Sequence, residues 1–136
     1  MSQAVIHVVA YAVVDNQRLL TVRKKNTQIF MFPGGKFEPG EDAEAAIQRE
    51  VKEELSCNID LTTFKTLGKF VTAAANEADT QLVATVFQGG LMGEPVASNE
   101  IVELLWIPIM ARTYNIEVAP LLTECVLPRL RKHQTR

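Results

Sequence analysis

Three glutamates on one edge of a short helix constrain this chain more than any other feature. From about Ala43 to Leu55 the sequence reads as a helix that carries Glu50, Glu53 and Glu54. With Glu50 at zero and an advance of ~100° per residue, Glu53 falls near ~300° and Glu54 near ~40°. Ile47, Val51 and Leu55 follow beside them at ~60°, ~100° and ~140°. Such a helix can bury one apolar stripe and carry a dense anionic edge. Like charges at that spacing lower helix stability by ~0.2–0.5 kcal/mol per pair. A hard divalent cation, which carboxylate oxygens bind well, would offset that cost. Charge count alone favours a solvated acidic face instead, but the lead-in argues against it. Phe32-Pro33-Gly34-Gly35-Lys36 precedes the helix, and Glu38-Pro39-Gly40-Glu41-Asp42 opens it. Asp42 suits an N-cap, where acids are favoured by the positive helix end.

The rest of the chain supplies strands for this helix to pack on. Val5 to Val14 is apolar and β-branched; Asp15-Asn16-Gln17 makes a turn, and Arg18 to Arg23 returns as a hairpin partner. Lys24 to Gln28 is a polar loop, and Ile29 to Phe32 is a short strand that Pro33-Gly34-Gly35 ends. Residues 59–61, 63–74 and 81–89 read as further strands, with a turn at Asn76-Glu77-Ala78-Asp79 and a loop over 90–99. Glu100 to Ile107 is apolar around Trp106. Val118 to Lys132 reads as a closing helix with Leu121, Leu122, Val126 and Leu130 on one side and a kink at Pro128. Strands and helices in this order indicate an α/β sandwich. With 136 residues, the expectation is one domain over 1–136.

Composition excludes several classes. A net charge of −2 gives no reason to expect binding to a nucleic acid polymer or an anionic membrane. Arg129, Arg131, Lys132, His133 and Arg136 form a small basic tail suited to a helix C-terminus. Cys57 and Cys125 lack metal spacing and read as free thiols of a reducing cytosol, so a cytoplasmic location is expected. No signal peptide or membrane span is read.

From Gly35 to Cys57 the chain reads GKFEPGEDAEAAIQREVKEELSC. This resembles the Nudix box, G-x5-E-x7-R-E-U-x-E-E-x-G-U with U apolar, of the Nudix hydrolase superfamily. Every charged position matches. Ser56 stands where the pattern has Gly, and Cys57 is a small residue for the last apolar site. The resemblance implies a Nudix-type α/β/α sandwich, with a mixed sheet between helices and the box forming a loop-helix-loop.

The residues themselves already suggest a chemistry. Carboxylates on one face would hold Mg²⁺, or Mn²⁺ in its place, and such ions take further ligands from substrate phosphates. The ion would stabilise charge on the phosphates and acidify a bound water, and another carboxylate would accept that water's proton. The outcome is phosphoanhydride hydrolysis. The resemblance assigns Glu50, Glu53 and Glu54, with the Gly34 carbonyl, to the metal. It assigns Arg49 to orienting these carboxylates and Glu41 to a structural link with Arg49. Glu53, Glu54, Arg49 and a distal acid form the catalytic set. Glu100 best fits that acid, with Glu103 next and Glu94 the remaining candidate. Arg23, in the basic run Arg23-Lys24-Lys25, and Lys36 are expected to meet phosphates, and Asn115 to read a base edge or cap the last helix. Phe30, Phe32 and Phe87 are candidates for stacking on a base, with core packing the expectation for at least two.

A nucleotide is the implied partner, with a homodimer possible through exposed strand edges. The Pro of ADP-sugar members is missing where Phe70, Val71 and Thr72 stand, and the Tyr of diadenosine-polyphosphate members is missing too. These absences favour a MutT-like conversion of a (d)NTP to a nucleoside monophosphate and pyrophosphate. ADP-ribose is the alternative substrate, and a non-catalytic nucleotide-binding module is the alternative class.

Overall fold

The computed structural model describes residues 4–74 and 77–134, with side chains through 132. Asn76 of the expected turn, Arg136 and the His133 side chain of the basic tail lie outside the described residues. β1 (Ala4–Ala12) runs parallel to β7 (Thr80–Met92) and antiparallel to β5 (Gly34–Lys36), while β6 (Asn58–Ala73) pairs antiparallel with β7. The order β5-β1-β7-β6 is therefore a mixed four-stranded sheet. A second sheet is built on β3 (Arg18–Lys24), which pairs with β2 (Val14–Asp15), β4 (Ile29–Met31) and β8 (Ile101–Pro108); β9 (Glu117–Val118) lies parallel to β4. Asn16 and Gln17 both take positive φ, 56° and 62°, which closes the tight hairpin expected there.

Strand alternation divides the core between two helices. Val9, Tyr11 and Val13 face α1 (Ala43–Leu55) and meet Ile47, Val51 and Leu55, all fully buried on the expected stripe. Ala10 and Ala12 face the other way, toward Leu122, Val126 and Leu127. A helix thus covers each face, and the α/β/α arrangement with mixed strand directions holds. No helix among the described residues is long and apolar enough to cross a membrane.

The structure departs from the sequence reading at four elements. Gly34–Lys36 is a strand on β1 rather than a loop. Residues 58–73 form one strand, broken only in register between Asp60 and Lys65 and between Thr66 and Gly68. β7 continues to Met92, into the expected loop. The closing helix begins after β9, opens as a π-helical stretch at Leu121–Val126 and becomes α2 (Leu127–Gln134). Pro128 has no N–H for the Glu124 carbonyl and would crowd it. Just before it the helix is widened, with the Leu127 N–H reaching back to the Leu122 carbonyl.

Candidate active site

α1 is positioned at both ends. The Asp42 side chain accepts from the Ala45 N–H at 2.8 Å, fixing the first turn. At the exit Ser56 takes the left-handed conformation (φ 53°) and donates its N–H to the Lys52 carbonyl. The anionic edge then faces β5, where two glycines make close approach possible. A Cβ on Gly34, which has φ 151°, would strike the Val9 carbonyl; one on Gly35 would strike the Glu50 carboxylate. Gly34 donates its N–H to Glu54 Oε1 at 2.9 Å.

Glu54 is 5 % exposed. Burial pushes its carboxyl up to about 8, against the opposing hydrogen bond from Gly34, while Glu50 and Glu100 add to the rise and Lys24 works against it. Burial likewise raises the half-buried Glu50 carboxyl, with Arg49 opposing. Both carboxylates line a cleft of about 500 Å³ that also receives Lys24, Lys36 and Glu100. Among the described residues no three acidic, His or Cys side chains converge into a finished ion cage. The donors nevertheless suit a hard divalent cation: desolvated oxygens whose charge repels and whose ionised forms are disfavoured, beside two glycines that leave the approach open.

Arg49 is the clamp of the site. It binds Glu41 in a fork, Nε to Oε2 at 2.6 Å and Nη2 to Oε1 at 3.0 Å. It also donates to the Lys36 carbonyl at 3.1 Å and to Glu53 at 3.2 Å, and it lies 3.3 Å from Glu50. The fork holds Glu41 below the usual carboxylate range, as does the Glu38 N–H. The expected Glu41–Arg49 link is present, and it ties the box loop to the helix.

The structure gathers Gly34, Lys36, Arg49, Glu50, Glu54 and Glu100 at this cleft, and leaves Glu53, Arg23, Asn115, Glu94 and Glu103 off its lining. Glu53 has 43 % of its side-chain surface exposed and spends its carboxylate on Arg49. Arg23 is held by Glu103 at 2.9 Å and by the Thr27 carbonyl at 2.9 Å. Asn115 is exposed and does not cap the helix, which opens at Pro120 instead. Glu94 is exposed and does not line the cleft either. Phe30 and Phe87 are core residues, whereas the buried Phe32 also borders the cleft.

Lys24, the next residue of the same basic run, lines the cleft where Arg23 does not. Leu20 and Val22 face α1, and Lys24 follows them by alternation; that period was the available signal. Glu100 is presented by a turn tied on both sides. Ser98 and Val96 donate their N–H groups to the Glu54 and Leu55 carbonyls, and Lys25 donates to the Glu100 carbonyl.

The NUDIX domain family model matches residues 5–122. Over 48 residues the chain is 40% identical to a Bacillus subtilis (strain 168) protein named "Putative 8-oxo-dGTP diphosphatase", a match covering 35% of this chain and 32% of that protein's length. The solved MutT protein from Methanosarcina mazei Go1 superimposes with a TM-score of 0.77 at 20% identity, over 100% of this chain and 99% of that one. MutT NUDIX hydrolase from Burkholderia pseudomallei gives 0.75 at 22% identity, over 94% and 99%. At such identities the likeness establishes the fold.

Proposed function

The chain belongs to the NUDIX family, and from that premise we propose that it hydrolyses a nucleoside triphosphate to the monophosphate and pyrophosphate. The observation that carries this reading is the buried Glu54 carboxylate, set beside Glu50 beneath a glycine strand in a cleft that Glu100 also lines. The name of the Bacillus relative points the same way.

Glu50 and Glu54, with the Gly34 carbonyl and with Glu53 from the same helix edge, would hold Mg²⁺ or Mn²⁺. When bound, that ion stabilises charge on the phosphates and acidifies water. Arg49 keeps Glu50 and Glu53 oriented and ties the end of β5, which bears Lys36, to α1. Lys24 and Lys36 balance polyphosphate charge from opposite elements. Glu100 stands free to take the proton from attacking water. The nucleotide, rather than a nucleic acid polymer, is the partner. The free thiols Cys57 and Cys125 accord with a cytoplasmic location, and the outer edge of β6 offers a strand for a homodimer.

A panel of (d)NTPs, ADP-ribose, dinucleotides and nucleotide sugars with Mg²⁺ tests this. The expected result is equimolar monophosphate and pyrophosphate from a (d)NTP. Release of single phosphates, or no Mg²⁺-dependent turnover of any compound, would refute it.

A further inference from the structure

The cleft has two chemically different walls. Its charged side comes from β5, α1 and the turn bearing Glu100. The opposite side continues the core cluster beneath the second helix: Val8, Met31 and Leu82 pack partly exposed against that cluster, to which Leu121 and Leu122 belong. Ile6 extends the wall along the same face of β1. Among the described residues that line the cleft, every hydrogen-bonding side chain is a charged one; no Ser, Thr, Asn, Gln, His, Tyr or Trp is present. Of these charged groups, Lys36 pairs with Glu77 and Arg49 with Glu38.

A nucleobase offers an apolar face and a hydrogen-bonding edge. Aliphatic side chains make dispersion contacts with the face and cannot read the edge. Apolar pockets separate ligands of similar size by about 10–200-fold, whereas sites that hydrogen-bond a group reject its absence by about 10⁴–10⁵-fold. We propose that this wall binds the base by its face alone, so that the cleft accepts purine and pyrimidine nucleoside triphosphates alike. This rests on the nucleotide reading above and adds its specificity: selection by polyphosphate, with no single preferred base.

The test is kcat/KM of the wild-type protein for dATP, dGTP, dCTP and dTTP with Mg²⁺. The four values are expected within about tenfold of one another; a larger preference for one base would overturn the inference. Leu82→Ala, at a partly exposed position, is expected to raise KM for all four by a similar factor of about ten with kcat held. A rise for one nucleotide alone would also overturn it. Binding of the same four nucleotides with Ca²⁺ in place of Mg²⁺ separates this inference from the hydrolysis reading. Dissociation constants within the same range, without turnover in Mg²⁺, would uphold base tolerance and remove hydrolysis. No binding of any, or capture of one alone, would defeat base tolerance itself.

Discussion

Glu54 is a carboxylate that the fold keeps almost dry, and its titration carries the sign of that cost. Its folded value, about 8, lies above the ordinary 4.5. The folded protein therefore holds a proton that the unfolded chain releases. In the metal-free protein the stability this contributes is fully present below about 4.5 and is lost as pH rises through about 8. We expect melting temperature in EDTA to fall across that window, and the fall to shrink with Mg²⁺ present; a rise with pH in EDTA would contradict the burial argument. Gly35→Ala probes the neighbouring carboxylate. Its Cβ would displace the flexible end of Glu50 and leave the backbone in place, so Mn²⁺ affinity should drop about 10–100-fold with the fold intact. Unchanged affinity would remove Glu50 from the ion site. At this scale the box residues were legible because their types and spacings are local. That Arg23 and Asn115 stand off the cleft lining was not legible, because their surroundings depend on partners far along the chain, Glu103 for the first and the strand-then-helix path through β9 for the second.

Among the elements, α1 was the most legible. Its cap, apolar stripe and exit all lie within fifteen or so residues, the range over which helix signals act. β5 escaped notice because Gly34 and Gly35 have no side chains to show a two-residue alternation. The long β6 was split because its register shifts interrupt that same alternation. Ser56 is where this helix departs from the family pattern. Its left-handed backbone costs a non-glycine residue ~1–2 kcal/mol, while its hydroxyl shares a hydrogen bond with Ser98, on the segment that leads to Glu100. An exposed hydrogen bond contributes ~0.5–1.5 kcal/mol, so the two nearly cancel. Ser56→Gly should therefore change the unfolding free energy by less than ~1 kcal/mol in urea titration. A loss of ~2 kcal/mol or more would show that the hydroxyl contact dominates.

The whole molecule is a sheet assembly clothed on both faces, and its cleft opens where the two walls meet. The α/β class followed from the succession of strands and helices, but the parallel pairing of β1 with β7 joins residues too far apart for any sequence window. Leu122 is fully buried between the sheet and the second helix. Leu122→Ala should cost about 2–5 kcal/mol in urea unfolding, and a negligible loss would refute the packing described for that face. If the buried carboxylate pair drives metal-dependent cleavage, Glu54→Gln should abolish most of it. The amide oxygen can still accept the Gly34 N–H, so the fold should survive. Pyrophosphate release from a (d)NTP with Mg²⁺ is predicted to fall by about 10²–10⁴-fold in kcat against wild type. A folded Glu54→Gln protein turning over at the wild-type rate would contradict the account.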